Sequence, residues 1–375
     1  MKTRFLYPST GIPPEDYLVD KKLNLGIHKN ATICPLQWYG WNDERNAGGV
    51  ILEDGSYLLE SAYPNRFMHP YPIDNFEYMD ETVFYFGYFH KQWGHFLMEC
   101  LTRLWPFVQN KYDITLIYLP DDKNSCIDGN YLELLNLFGI KKEQLKTIDK
   151  PVKFKEVIVP DASNYLYGWY TKEFASIFSF IKKKALQGEP ENPTKKIFLR
   201  SAFKAKRDIG IEQIASLFHE NKYEYFYPEK FHVVDQIKRI YYAKEIAVHQ
   251  SSLAHNLIFC NENTKITIFN RNAQIDGIQA RIMQMMNLQN YFFVDTYQTI
   301  LPFTYGKGPF CFIPNQILYD YVTKILNFEH LIKFDTYKLL KEYIESYKEI
   351  YLKNENLEYT ALDERTLQCI IKELV

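Results

Sequence analysis

A chain of 375 residues is longer than one ordinary core and comfortable for two domains. Its apolar fraction of 46% and charged fraction of 24% are ordinary globular values, and a formal net charge of −2 gives no electrostatic reason to expect nucleic acid or a strongly anionic partner. The six cysteines are scattered without a C-x-x-C pair, which argues against a disulfide framework or a thiolate zinc site and makes reduced core thiols the expectation.

In chain order, Met1 to Pro8 lacks the apolar core of a signal peptide, and no run reaches the roughly 18 apolar residues needed to span a bilayer. The expectation is a cytoplasmic, soluble protein, with peripheral membrane contact left open. Residues 1–80 are rich in Pro, Gly and Asn and read as irregular. One hairpin stands out there: Val50–Glu53 and Ser56–Leu59 flank Asp54-Gly55, a type I′ turn signal. From Thr82 the pattern alternates. Strand 82–90, helix 94–109, strand 113–119 and helix 130–138 are followed by strands 145–148 and 154–159 and helix 171–186. Gly188 to Pro193 is the best linker. A second alternation follows, with strands at 196–200, 223–227, 245–249, 265–269 and 291–294. Helices at 209–220, 232–243, 252–259 and 275–287 lie between them. Two amphipathic helices, 317–326 and 337–351, form a tail from about 315. This is an α/β chain with two Rossmann-like domains, 1–187 and 188–375, facing a central cleft. The tail, 315–375, is free in this reading to pack back on the first domain.

Four blocks carry groups able to do chemistry. His95 and Glu99, four residues apart just after a strand, share one helical face with Thr102 and Arg103. That stripe is either the water-facing side of an amphipathic helix or an imidazole and a carboxylate facing a cleft. A metal site built on His90, His95 and Glu99 is the weaker reading, since the His spacing is not that of a zinc-binding helix and no strong ligand beyond these is nearby. Arg200, Lys204, Lys206 and Arg207 follow a strand end, where cations suit a pyrophosphate, although a solvated basic loop reads the same way. His249 closes a buried strand, and Ser251 and Ser252 open a helix whose free N–H groups could hold an anion or simply be capped. Pro228-Glu229 precedes Asp235 and Gln236, which fall at a helix start and suit capping. No P-loop, G-x-G-x-x-G or G-x-S-x-G pattern occurs.

Together these blocks resemble glycosyltransferase family 61, whose bacterial members act in capsular polysaccharide biosynthesis; the resemblance covers roughly residues 85–270. His95 and Glu99 match its His and acidic residue four apart on an early helix. Arg200 and Arg207 match its strand-terminal Arg and the second Arg of a basic loop. Pro228, Glu229, Asp235 and Gln236 match its Pro-Glu followed by an acidic residue and Gln. His249-Gln250-Ser251-Ser252-Leu253 matches its His-Gly-Ala/Ser-Gly-Leu, with Gln250 and Ser252 in place of glycines. His255 could occupy the place of its small polar residue in preference to Asn256.

The resemblance implies a GT-B fold and an inverting, metal-independent transfer of a hexose or pentose from a nucleotide-sugar, expected to be UDP-linked. The acceptor would be a glycan or lipid-linked glycan of capsule or lipopolysaccharide. No cofactor or metal is expected. It implies Glu99 as the base assisted by His95. Donor binding falls to Arg200, Lys204, Arg207, Glu229, His249, Ser251, Ser252 and Leu253. A nucleotide-sugar epimerase and a non-catalytic sugar- or nucleotide-binding module are the alternatives.

Overall fold

The computed structural model describes residues 17–352, apart from 41–42, 64–69, 71–72, 123, 189–194, 203–207, 274, 299–300 and 302–307. The linker at 188–193 therefore lies almost wholly outside the described residues, as do Lys204 and Arg207. The chain is mixed α/β, with two sheets rich in parallel pairing.

The first sheet comprises β1 (Leu25–Lys29), β2 (Thr32–Gln37), β3 (Ala47–Ile51), β4 (Tyr57–Leu58), β5 (Glu77–Phe89), β6 (Thr115–Pro120), β7 (Leu145–Lys146) and β8 (Val152–Pro160). Their order is β4-β3-β2-β8-β5-β6-β7, with β1 also paired to β8. β5, β6, β7 and β8 are mutually parallel where they pair, and β1 to β4 add an antiparallel wing. The stretch read as irregular apart from one hairpin thus supplies four strands, two of them that hairpin's. Their signal was weak for identifiable reasons. Pro35 sits inside β2 where the register with β3 shifts, and β3 opens with Ala47-Gly48-Gly49 yet is buried throughout. The hairpin at Asp54-Gly55 is present, with Ile51 opposite Tyr57. Its turn is not type I′. Gly55 N–H bonds to Leu52 O at 3.0 Å, Gly55 alone of the turn has positive φ, and Leu52 N–H meets Ser56 O at 2.8 Å. That is a three-residue loop with glycine in the left-handed position.

The helices of this half are α1 (Trp93–Met98), α2 (Trp105–Gln109), α3 (Gly129–Asn136) and α4 (Lys172–Ala185). The expected helix 94–109 is broken twice, at Glu99 and at Leu104. Pro106 explains the second break: it lacks the N–H that would bond to Thr102 O, its ring clashes with that carbonyl, and it suits the first turn of the new helix α2.

The second sheet contains β9 (Lys196–Leu199), β11 (Tyr223–Phe226), β12 (Glu245–His249), β13 (Lys265–Phe269) and β14 (Tyr291–Val294). Its order is β11-β9-β12-β13-β14, all parallel. Renumbered within the half, that is 2-1-3-4-5, a doubly wound order whose direction reverses between β9 and β12. A small parallel pair, β10 (Asp208–Ile209) with β15 (Phe310–Cys311), stands apart. The helices are α5 (Ile211–Glu220), α6 (Val233–Tyr241), α7 (Gly277–Met285), α8 (Gln316–Lys324) and α9 (Thr336–Tyr347). The segment Ser252–Phe259 is a 3-10 helix, a tighter winding than the α-helix expected there.

The two sheet-centred halves share one apolar cluster. It runs from Phe84 and Leu116 through Phe178 and Ile181 to Ile197 and Ile246. Polar bolts reinforce it. Arg281 of α7, buried at 1% exposure, donates to the carbonyls of Tyr165 (2.6 Å) and Leu166. Glu133 of α3 accepts from the Val233 N–H at 2.8 Å and from His232 at 2.6 Å. The start of α6 is therefore capped from the other half, not by Asp235. The described tail helices pack on the second half: α8 buries Leu318, Tyr321 and Val322 against Phe269, Phe292 and Val294, and α9 packs Leu339 and Tyr343 against Ile209 and Cys311. Among the described cysteines all five are free thiols, four of them buried and Cys126 exposed. No described helix is long and apolar enough to cross a membrane.

Candidate active site

The carboxyl-terminal ends of both parallel sheets open on one place. β5 is buried from Val83 to Phe89, and the chain turns through His90 to Gln92 into α1. Gln92 caps that helix, its side-chain oxygen accepting from the His95 N–H at 2.8 Å. The polar stripe expected to run along the helix is not a solvent face. Glu99, Thr102 and Arg103 are 3%, 1% and 2% exposed. The break at Glu99 sends them inward. Arg103 donates to the backbone carbonyls of Glu60 and Ala62, and the Thr102 hydroxyl bonds to Glu99 O. Glu99 lies behind His95 and is hydrogen-bonded to its Nδ1. The imidazole is 26% exposed at the side chain against 1% for the carboxylate, so the ring is what meets the cavity. A second pair, His90 with Asp121, stands beside the first, the two imidazoles edge to face at 4.9 Å.

From the second half, β12 ends at His249, and Ser251 caps the following 3-10 helix by accepting from the Leu253 N–H at 3.2 Å. Gln250, where a glycine was expected, uses its side chain structurally: its oxygen accepts from the Arg271 N–H at 3.0 Å. Arg271 follows the end of β13 and grips Asp208 with two bonds, 2.8 and 2.6 Å. Its guanidinium lies over the Phe310 ring at 4.6 Å. His249 Nε2 is 3.4 Å from the same Asp208 carboxylate. Burial of Asp208 pushes its carboxyl up, but His249 and Arg271 outweigh that and hold it down at about 2. The carboxylate thus stays ionised with Arg271 fixed on it.

A cavity of about 700 Å³ lies between the halves. The first half contributes Lys91, Trp93 and Tyr131, among others, and the second Ser201, Glu229, Gln236, His249, Ser251 to Leu253, Asn256 and Arg271. That volume suits a cofactor-sized ligand. A smaller cavity of about 160 Å³ adjoins it, lined by His95 and by Gly94, Tyr167, Asn272 and Asp276. Gln92, Ser251, Ser252 and Arg271 line both, so they form the shared wall. Gly94 makes the closeness possible. A Cβ there would stand 2.7 Å from His255 Nδ1 and 2.9 Å from Ser252 Cβ. Trp93 Nε1 adds a 2.9 Å bond to Asn256 across the same seam.

Of the residues expected from sequence, Glu229, His249, Ser251, Ser252 and Leu253 line the large cavity, and His95 the small one. Glu229 also receives the Ser201 hydroxyl at 3.1 Å and the Ala202 N–H, tying the loop after β9 to the loop after β11. Glu99 lines neither cavity. Arg200 lines neither; it pairs with Glu212 and stacks over Tyr225 at 4.5 Å and Tyr227 at 5.4 Å. Gln236 lines the large cavity and donates to Phe231 O at 2.8 Å. The sequence reading missed Arg271, Trp93, Tyr131 and any role for Asp208. Arg271 had a usable signal, since it is the first cation after a strand of the doubly wound sheet. Trp93 and Tyr131 had none, because aromatic residues at such spacing read as core. No described cluster of three or more His, Cys, Asp or Glu is arranged to hold a metal ion.

Residues 93–267 match the family model described as Glycosyltransferase 61. The matched stretch begins at Trp93, on the cavity wall, and ends within β13, so it takes in α1 with His95 and Glu99, the loop after β9, and the strand and 3-10 helix carrying His249 to Leu253. No curated protein matches the chain. Over residues 93–267 the chain is thus similar to glycosyltransferase family 61, which supports a glycosyltransferase assignment.

Proposed function

We propose that this chain is a family 61 glycosyltransferase and moves a sugar from a nucleotide-diphosphate sugar, expected to be UDP-linked, to a hydroxyl of a surface glycan, with inversion and without a metal. The two sheet-centred halves would be the two Rossmann-like domains of a GT-B arrangement, the donor held mainly by the second. One observation carries the reading. His95, from the first half, lines a small cavity that shares a wall with the larger cavity at the switch point of the second sheet.

In this mechanism the donor occupies the larger cavity. The acceptor oxygen attacks the anomeric carbon, the bond from that carbon to the diphosphate oxygen breaks, and the electron pair leaves with the diphosphate. The acceptor proton passes to His95. Nδ1 is held by Glu99, which puts Nε2 on the opposite edge of the ring as the basic lone pair. This exchanges the roles expected from sequence: His95 is the base, and Glu99 fixes its tautomer and stabilises the imidazolium. The leaving diphosphate would be met by Arg271 and by the backbone N–H groups opening the 3-10 helix at Ser252, with Lys204 and Arg207 of the sequence between β9 and β10 as further candidate cations. Trp93 and Tyr131 offer flat surfaces to the base or sugar. The acceptor would be a capsule or lipopolysaccharide glycan met at the cytoplasmic side.

The test is a thermal-shift screen against UDP-, GDP-, CMP- and dTDP-sugars. A ligand at 100 times its Kd adds about 2.7 kcal/mol of stability. We expect one nucleotide class, UDP, to raise Tm. No shift with any of them would refute the donor assignment, and interconversion of the bound sugar without an acceptor would mark an epimerase instead.

A further inference from the structure

We infer that the smaller cavity is an acceptor subsite for a single pyranose ring and that Tyr167 is its stacking platform. This rests on the catalytic reading above and deepens it.

The observations are these. The cavity holds about 160 Å³. A void of about 150 Å³ takes a ring the size of benzene, so this one, open at its rim, is of the scale of one ring and not of a longer glycan. Its lining joins His95 to amide side chains, Gln92, Gln250 and Asn272, and to the ring of Tyr167. With the serine hydroxyls, Arg271 and Asp276 at its wall and Phe310 as a second ring, the lining offers many hydrogen-bonding groups beside aromatic faces, which fits a polyhydroxylated ring whose axial C–H face is apolar and whose edge carries hydroxyls. Asp276, also in the lining, is held in its ionised form and can accept from a sugar hydroxyl. Burial of Asp276 pushes its carboxyl up, and His255 together with backbone N–H groups at the start of α7 outweighs that.

Tyr167 is 69% exposed, although it lines a concavity. A tyrosine ring at a cavity rim presents an apolar face with a polar tip to whatever enters. Its loop is held firmly. Gly168 N–H closes a tight turn on Tyr165 O at 2.9 Å, and Tyr165 N–H bonds to Trp169 O at 2.8 Å. The Tyr165 and Trp169 rings stack at 6.2 Å beneath the turn, with Lys21 over Trp169 at 4.9 Å. The buried Arg281 anchors the carbonyls of residues 165 and 166. Tyr167 therefore sits at the tip of a braced turn, placed by the second half's arginine and facing the same cavity as His95. A ring stacked there would bring a hydroxyl toward the imidazole, while the shared wall of Ser251, Ser252 and Arg271 separates it from the donor.

The experiment is ligand-observed saturation-transfer NMR on the full chain, with UDP present and a panel of methyl α- and β-pyranosides as probes. Saturation of the ring C–H protons of at least one pyranoside is expected for the wild type. Tyr167→Ala should reduce it at least fivefold, and Tyr167→Phe or Tyr167→Trp should restore it. UDP saturation in the same tubes should be equal in all variants, because Tyr167 does not line the large cavity. Saturation that is absent for every pyranoside while UDP binds would overturn the subsite and leave the donor reading standing, as would signals equal in the wild type and Tyr167→Ala. Absence of UDP binding in the wild type would overturn the donor reading and the subsite with it.

Discussion

The geometry of His95 and Glu99 makes a prediction that separates two mechanisms. If His95 takes the acceptor proton, His95→Gln removes the base and should lower kcat by about 10²–10⁴ with little change in donor KM. Glu99→Gln keeps the shape of a fully buried side chain and can still accept from Nδ1–H, but it removes the charge that stabilises the imidazolium. In a site of low effective dielectric, such a charge is worth several kcal/mol. Each 1.36 kcal/mol corresponds to tenfold in rate, so a loss of about 10²–10³ is expected. Because both residues act on one proton, the double variant should be scarcely slower than His95→Gln alone. The assay is steady-state release of nucleotide with each variant, supported by a thermal melt to confirm folding. A His95→Gln enzyme keeping more than a tenth of wild-type kcat, with Glu99→Gln inactive, would refute the assignment and return the base to Glu99. Fully additive losses would show that the pair does not act as a unit.

Further outcomes follow from the same structure. Gly94→Ala should improve helix propensity by about 1 kcal/mol, but its Cβ meets Ser252 Cβ at 2.9 Å; overpacking of about 1–3 kcal/mol should win, read as a lower urea midpoint with m unchanged. Asp208 has its folded pKa held at about 2 against an ordinary 3.8, so its contribution, on the order of 2 kcal/mol, is present above pH 4 and is lost as pH falls from about 4 toward 2. Asp208→Asn should flatten that acid limb in a pH series of melts; an unchanged limb would remove Asp208 from the account. Arg271→Ala strands the buried Asp208 charge and should cost about 3–5 kcal/mol, with UDP affinity also weakened in calorimetry. Arg281→Met leaves the carbonyls of Tyr165 and Leu166 without their donor, at about 1–3 kcal/mol each, and should speed amide exchange in that loop.

What could be read beforehand divides along physical lines. β5, β6, β12 and β13 carry dense runs of apolar and β-branched or aromatic residues, and each lies where the pattern placed it. β2 and the first half of β3 were missed because Pro35 and the Gly48-Gly49 pair are strand-breaking signals that a bulge and full burial override. The helix through Glu99 was drawn too long, since a single period cannot show that its polar residues turn inward at a break. In the site, His95, Glu229, His249, Ser251 and Ser252 were legible as polar groups just beyond strand ends. The order of His95 and Glu99 was not, because spacing puts both on one face and only burial says which is in front. Arg271 and Asp208 lie 63 residues apart in sequence, a pairing that no local pattern encodes.

The most direct measurement follows UDP-sugar hydrolysis by NMR, with water standing in for the acceptor. The account predicts that the first-formed free sugar has the anomeric configuration opposite to that of the donor, and that its rate drops at least a hundredfold in His95→Gln. Release with retained configuration, or a rate unaffected by His95→Gln, would contradict it.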